Sequence, residues 1–152
     1  MMARWVTRFA TSRTALVFGV VLLVFLAAAV PLSLLTPNLS ESVPFLPAAI
    51  IGVILARQRP GNAIGWVFVA LAMTVFITGD AAQYSLLAYR LHHPGLPLAR
   101  LALALNALWI GFILLLPLPI LLFPDGRVAG RFWRWTLRVY LAMSAIVFLI
   151  LG

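Results

Sequence analysis

Five apolar stretches that carry almost no charge take up most of this 152-residue chain. A helix needs roughly 20 apolar residues to cross the hydrocarbon core of a bilayer, which is about 30 Å thick. The stretches predict an all-α fold, namely a polytopic membrane helix bundle of about five transmembrane helices at residues 15–152, with a basic tail at residues 1–14 before it. The predicted spans are residues 15–35, 43–56, 63–79, 101–123 and 136–152.

The composition suits lipid as the solvent of most of the chain. Apolar residues make up 64% of it and charged residues only 9%, whereas a typical soluble domain has about 25% charged residues. The first stretch also resembles the apolar core of a signal peptide, but such a core usually has about 7–15 residues. We therefore interpret it as an uncleaved helix. Because the chain has no cysteine, disulfides and thiolate metal ligands are excluded.

The basic residues, all of them arginines, are distributed unevenly between the apolar stretches. In a five-helix bundle, Arg90 and Arg100 would lie on one side of the membrane. Cytoplasmic loops carry the excess of basic residues in membrane proteins, so the bias predicts a plasma-membrane protein with a cytoplasmic N-terminus and cytoplasmic basic tail. The net charge of +8 thus indicates topology and contact with the lipid bilayer, and nucleic acid is not an expected partner. The arginines on the expected cytoplasmic side are Arg4, Arg8, Arg13, Arg57, Arg59, Arg127, Arg131, Arg134 and Arg138.

Two short segments combine turn-forming and charged residues. Residues 57–62, Arg-Gln-Arg-Pro-Gly-Asn, join the second and third stretches, and their Pro-Gly step is a strong turn signal. Asn62 can cap the third helix by accepting a backbone N–H, while the two arginines can reach lipid phosphates. Residues 123–127, Phe-Pro-Asp-Gly-Arg, follow the fourth stretch and suit a type I turn. We interpret both as cytoplasmic turns; contact of the second with a cytoplasmic domain is the alternative.

Three polar residues fall within or beside the apolar stretches. Asp80 and Gln83 follow the third stretch, where we expect the helix to continue toward residue 91 as an interfacial segment that water reaches. A ligand or proton role for Asp80 is a hypothesis, since acids within membranes are costly and often functional. Asn106 lies inside the fourth stretch, where we expect it to form a hydrogen bond between helices.

Motifs for catalysis are missing from the sequence. It contains no phosphate-binding glycine loop, no nucleophile elbow and no zinc-binding HExxH segment. His92 and His93 lie in an expected outer loop, but a metal site needs three or four ligands and no cluster of acids accompanies them. The sequence therefore predicts no catalytic residue, no metal and no cofactor.

Residues 54–66, Ile-Leu-Ala-Arg-Gln-Arg-Pro-Gly-Asn-Ala-Ile-Gly-Trp, resemble a turn of the N-terminal membrane module in many actinobacterial sensor histidine kinases. Residues 121–127, Leu-Leu-Phe-Pro-Asp-Gly-Arg, are similar to the segment that closes the long helix of that module. The resemblance covers about residues 48–135, although Ala63 stands where the family usually has proline. The residues that carry it are Arg57, Arg59, Pro60, Asn62, Gly65, Trp66, Phe123, Pro124, Asp125, Gly126 and Arg127.

The resemblance implies a membrane-embedded sensor or input module of a two-component system, working as a homodimer. The phosphoacceptor helix and ATP-binding domain of such kinases are missing from this chain, so we do not expect it to be an enzyme on its own. The fifth stretch reaches residue 152 without an interfacial anchor, which indicates a chain that stops inside or just after a helix. In a longer gene product, a further span would lead to a cytoplasmic kinase region.

Two other functions fit the same sequence. A stand-alone small multi-pass protein would act as an accessory or structural subunit beside a membrane partner. A transporter or channel subunit would use Asn106, Asp80 and the kink expected at Pro117 and Pro119 to line a path. Against the latter, the sequence has no evident inverted repeat or selectivity filter.

Overall fold

The computed structural model describes residues 10–36, 42–91, 96–122 and 130–151, of which 87% are helical and none is in a strand. The predicted all-α fold is therefore confirmed. A 3₁₀ turn (Val43–Phe45) precedes the second helix, and a π-helical turn (Leu86–Arg90) continues the third. The α-helices of the described residues are α1 (Ser12–Leu35), α2 (Leu46–Gln58), α3 (Ala63–Ser85), α4 (Ala99–Asn106), α5 (Trp109–Leu115), α6 (Leu118–Leu122) and α7 (Gly130–Leu151).

Three helical segments are long and apolar enough to cross a membrane. They are Ser12–Leu35, Ala63–Arg90 and Ala99–Leu122, with lengths of 24, 28 and 24 residues. Two shorter apolar helices occupy Val43–Gln58 and Trp135–Val147. The chain thus has the helices of a membrane protein, while the count of about five spans stays a prediction.

Helix α1 begins at a reciprocal cap and contacts the bundle along a narrow seam. The Thr14 N–H donates to Thr11 Oγ1 at 3.2 Å, and the Thr11 N–H donates to Thr14 Oγ1 at 3.0 Å. These two bonds satisfy backbone donors that lack helical partners. The buried residues of α1 are Ala15, Leu22 and Ala29, seven residues apart, so one stripe packs inward and the rest of the surface suits lipid.

Helix α3 is the centre of the bundle, because α1, α2, α4 and α5 all pack against it. A core cluster joins Leu22 of α1 and Ala49 of α2 to Ala72, Val75 and Phe76 of α3. Lipid tails are as apolar as leucine, so helices in a membrane associate chiefly through close packing, which small residues permit. The alanines at these contacts let the three helices approach closely.

The fourth apolar stretch is not one helix but three consecutive pieces. Helix α5 ends at Leu115 and α6 begins at Leu118, so the interruption expected at Pro117 is confirmed. Proline has no N–H to donate to the preceding turn. An earlier break follows Asn106, where the Ala107 N–H donates to the Ala104 carbonyl at 3.2 Å in a tighter 3₁₀ pattern. That break was not predicted from the sequence.

Helix α7 begins at Gly130, earlier than the start predicted at residue 136. It is joined to the bundle by Tyr140, whose hydroxyl donates to the Leu114 carbonyl at 2.5 Å. Leu137 and Tyr140 also pack against a cluster that contains Leu118. Most other described side chains of α7 are half-buried or exposed, so the helix has few contacts with the rest of the chain.

Candidate functional site

The turn between α2 and α3 closes a tight helical hairpin. The Arg59 N–H donates to the Leu55 carbonyl at 2.9 Å, and the Asn62 N–H donates to the Arg59 carbonyl at 2.8 Å. Asn62 Oδ1 accepts the Ile64 N–H at 2.9 Å, which confirms the cap predicted for α3. The side chains of Arg57 and Arg59 are exposed, so both can reach phosphates.

Trp66 and Gly65 fix this hairpin from the side of α3. The Trp66 indole Nε1–H donates to the Pro60 carbonyl at 2.9 Å, and its ring packs edge-on against Phe18 of α1 at 6.2 Å between centroids. At Gly65 the two helices touch, since a Cβ there would lie 2.6 Å from the backbone nitrogen of Ala56. Pro60, Asn62, Gly65 and Trp66 therefore each have a structural role in this turn.

Asp80 and Gln83 lie on α3 far from that turn. At 1.5 Å per residue, Asp80 is about 26 Å and Gln83 about 30 Å along the helix from Ala63. The side chains are only 7% and 6% exposed. The exposure expected for Asp80 is therefore not seen, because neighbouring helices cover α3 at this level.

The oxygens of these two side chains have no donor in the part of the chain that the structure describes. Among the described residues, neither carboxylate oxygen of Asp80 nor the amide oxygen of Gln83 accepts a hydrogen bond. Other polar side chains of α3 behave differently: the hydroxyls of Thr74 and Thr78 donate to carbonyls one turn earlier, each at 2.8 Å. We call Asp80 and Gln83 the acceptor pair, because their buried oxygens can accept hydrogen bonds but receive none from the described residues.

The surroundings of the acceptor pair are well ordered by specific contacts. Ser42, which is 0% exposed, packs against Gly79, where a Cβ would lie 3.2 Å from the Ser42 Oγ. The Tyr84 hydroxyl donates to the Pro97 carbonyl at 2.5 Å, which ties the connection before α4 to the end of α3. The next residue, Leu98, has a positive φ of 63°, a strained conformation for leucine.

A π-helical turn follows the acceptor pair directly. The Leu91 N–H donates to the Leu86 carbonyl at 3.1 Å, five residues earlier. Single π-helical turns inside α-helices are uncommon and often occur at functional sites. A cleft of about 510 Å³ opens beside it and is lined by Ala82, Ser85, Leu86, Tyr89, Arg90 and Leu103.

A second, apolar groove of about 310 Å³ lies between α1 and α2. Its lining includes Leu16, Gly19, Leu23, Ala49 and Ile50. No polar side chain lines it, so it suits a lipid chain or another apolar helix.

The candidate residues predicted from sequence thus fall into separate groups. The first turn and the acceptor pair occupy opposite ends of α3. Asn106 is half-buried and makes no side-chain hydrogen bond within the described residues, so the interhelical bond expected there is missing. The second turn, Phe123, Pro124, Asp125, Gly126 and Arg127, lies outside the described residues, as do His92 and His93.

Sequence reasoning missed several residues that position these sites. Ser42, Gly79 and Tyr84 organise the acceptor end of α3, and Tyr140 holds α7. Three of them, Ser42, Tyr84 and Tyr140, carry hydroxyls, and a polar group in apolar surroundings needs a partner. Such a hydroxyl group in the sequence therefore indicates that a hydrogen-bond partner exists, although it does not identify that partner.

The arrangement offers groups that can bind a ligand. The described residues contain no group of three or more His, Cys, Asp or Glu that would hold a metal ion. The acceptor pair supplies one carboxylate and one amide oxygen, while the turn supplies exposed guanidinium groups. Comparison with protein-family models, with curated proteins and with solved structures finds no match, so the interpretation of function rests on these residues and their arrangement.

Proposed function

We propose that this chain is a membrane-embedded sensor or input module that resembles the membrane part of a two-component histidine kinase. The observation that supports the proposal best is the first motif turn. Its proline carbonyl, asparagine cap, glycine contact and tryptophan side chain form one connected unit between α2 and α3. A sensor needs such a rigid element, because a stimulus must shift whole helices rather than bend one locally.

The proposed topology has five spans and a cytoplasmic N-terminus in the plasma membrane. Val43–Gln58 and α7 would cross the membrane in addition to the three long apolar segments. The 22 residues of α7 extend about 33 Å, which is enough for the hydrocarbon core. The turn containing Arg57 and Arg59 would then face the cytoplasm, where basic residues are concentrated.

Helix α7 would be the output element of the module. It is connected to the bundle mainly through the Tyr140 hydrogen bond and the packing of Leu137. An element with few contacts can change its position at a small energetic cost. A stimulus that binds one arrangement of the bundle better than another would shift the population of α7 positions.

The proposal implies partners but no catalysis by the chain itself. The partners would be the lipid bilayer, a second copy of the chain, and a cytoplasmic kinase region or another membrane protein. The purified 152-residue chain should not incorporate phosphate from ATP. Phosphate incorporation by this chain alone would contradict the assignment of a non-enzymatic input module.

Two experiments test the proposal at different levels. The reading frame should continue beyond codon 152 through a further span into a dimerisation helix and an ATP-binding domain; an immediate stop codon would favour the accessory-subunit alternative. A reporter enzyme that is active only outside the cytoplasm should be inactive when fused after Gln58 and active when fused after Leu96. The opposite pattern would overturn the topology.

A transporter or channel subunit is the second candidate function. It is favoured by one observation, the unpaired oxygens of Asp80 and Gln83 inside the bundle. Reconstituted chain should then carry a cation across a vesicle membrane, and the flux should disappear in Asp80→Asn. An unchanged ion gradient in vesicles containing the wild-type chain would rule this function out.

A further inference from the structure

Helix α3 carries three buried oxygen atoms that lack a donor in the described part of the chain: two on Asp80 and one on Gln83. Both side chains are more than nine-tenths buried. Residues three apart in a helix are neighbours on its surface, with Cβ atoms about 5–6 Å apart. The two side chains are therefore placed to act on one occupant.

The chemistry of the pair indicates a positively charged occupant. Buried charges in proteins are paired or coordinate an ion, because an isolated buried carboxylate is very costly. No described arginine forms an ion pair with Asp80, so the chain does not supply the charge within the described residues. Either a proton on Asp80 or a cationic occupant from outside must therefore balance the carboxylate.

The charge and the space of the site define the class of this occupant. One carboxylate balances a single positive charge, whereas Ca²⁺ and Mg²⁺ sites use more oxygen ligands and usually more carboxylates. The described residues hold no cluster of three or more His, Cys, Asp or Glu. Because the two side chains are almost fully enclosed, a bulky organic cation does not fit.

We propose that Asp80 and Gln83 form a binding site for a small monovalent metal cation of the size of Na⁺ or K⁺. The Asp80 carboxylate neutralises the charge, and the Gln83 amide oxygen provides a second, neutral ligand. Carboxylate, amide and water oxygens are the ligands that hard cations prefer. Both protein ligands come from this chain, so the cation-binding proposal does not rest on the chain being part of a kinase.

One neighbouring feature supports ion binding at this position. The buried Ser42, packed against Gly79, brings a hydroxyl oxygen next to the part of α3 that carries Asp80. The cleft lined by Ala82 and Leu86 opens on another face of α3, since neither Asp80 nor Gln83 lines it.

Protection of the Asp80 carboxyl group from chemical labelling tests the proposal. The purified full chain in lipid nanodiscs would be treated with dicyclohexylcarbodiimide, an apolar reagent that modifies carboxyl groups in apolar surroundings. Labelling at Asp80 would be measured by peptide mass in choline chloride, NaCl and KCl at equal ionic strength. At a Na⁺ or K⁺ concentration ten times the Kd, the rate should fall about elevenfold, because only the unoccupied fraction reacts.

Three variants separate coordination from nonspecific salt effects. Asp80→Asn should remove the label. In Gln83→Leu, Asp80 should still be labelled, but about tenfold or more cation should be needed to protect it. Losing even an outer-shell partner of a metal ligand lowers metal affinity by that much. Gln58→Leu makes the same change at the exposed end of α2. In this variant, cations should protect Asp80 as well as they do in the wild type. Circular dichroism and a single elution peak would establish that each variant is folded.

A further variant keeps the proposal testable if Gln83→Leu does not fold. Gln83→Glu preserves the size of the side chain and adds a second carboxylate, so Ca²⁺ should begin to protect Asp80. Equal labelling of wild-type Asp80 in choline, Na⁺ and K⁺ would overturn the proposal. An unreactive Asp80 in all three salts would overturn it as well, because the carboxyl group would then already have a partner.

Discussion

Substitution of Gly65 by alanine should weaken the bundle at its closest helix contact. A Cβ at this position would lie 2.6 Å from the nitrogen of Ala56, and 2.9 Å and 3.0 Å from the carbonyl carbon and Cβ of Leu55. Two of these three atoms belong to the backbone of α2. A side-chain rotation therefore cannot relieve the clash, and the two helices must move apart.

The expected loss of stability follows from two opposing effects. Overpacking of a tight contact costs about 1–3 kcal/mol, and an obstacle made of backbone puts Gly65→Ala near the upper end. Alanine is a better helix former than glycine by about 1 kcal/mol, which offsets part of this cost. The net loss should be about 2 kcal/mol, or roughly thirtyfold in the unfolding equilibrium constant.

Gly111→Ala is the matched control, because Gly111 lies inside the apolar helix α5. A Cβ there would be 3.7 Å from the Thr74 Cγ2, an ordinary van der Waals contact. This variant should be neutral or more stable by up to about 1 kcal/mol. Both variants would be unfolded reversibly with a denaturing detergent in mixed micelles and followed by circular dichroism. Equal stability of Gly65→Ala and Gly111→Ala would contradict a backbone clash at Gly65.

Three further predictions concern single hydrogen bonds. Asn62→Ala removes the cap of α3 and should cost about 1 kcal/mol, with faster amide exchange in the first turn of α3 as the specific readout. Trp66→Phe keeps the ring but loses the bond to the Pro60 carbonyl, and a loss of about 1 kcal/mol is expected in the detergent titration; no change would show that the carbonyl bonds to water equally well. Tyr140→Phe leaves the Leu114 carbonyl without its donor and should increase amide exchange throughout α7 while leaving α3 unchanged.

The local features of this fold could be predicted because they follow from neighbouring residues. Apolar stretches of sufficient length placed the helices, and the start of α1 at Ser12 differs from the predicted residue 15 by the length of one polar turn. The cap at Asn62 depends on the N–H only two residues away. The interruption at Pro117 follows from the missing N–H of proline.

The features that were not predicted depend on residues distant in the sequence. Asp80 follows an apolar stretch and has a polar neighbour three residues on, a pattern typical of a helix leaving the membrane. Its burial results from packing of other helices around α3, which the local pattern does not contain. The contact at Gly65 likewise depends on Ala56, across the turn, and on the angle at which α2 returns.

Helix α3 connects the two candidate sites, and this connection can itself be tested. The motif turn fixes one end of the helix, and the acceptor pair lies near the other end, with Asp80 about 22 Å and Gln83 about 27 Å from Gly65. An input module must transmit occupancy of one site to the packing of the other, and such coupling is reciprocal for binding free energies. Gly65→Ala should therefore change the Na⁺ or K⁺ concentration that half-protects Asp80 by about fivefold or more, the lower limit of typical allosteric coupling. Gly111→Ala should leave this concentration unchanged. The same half-protecting cation concentration in the wild type, Gly65→Ala and Gly111→Ala would mean that a cation at Asp80 stabilises α3 only locally. The stimulus would then act through another part of the bundle.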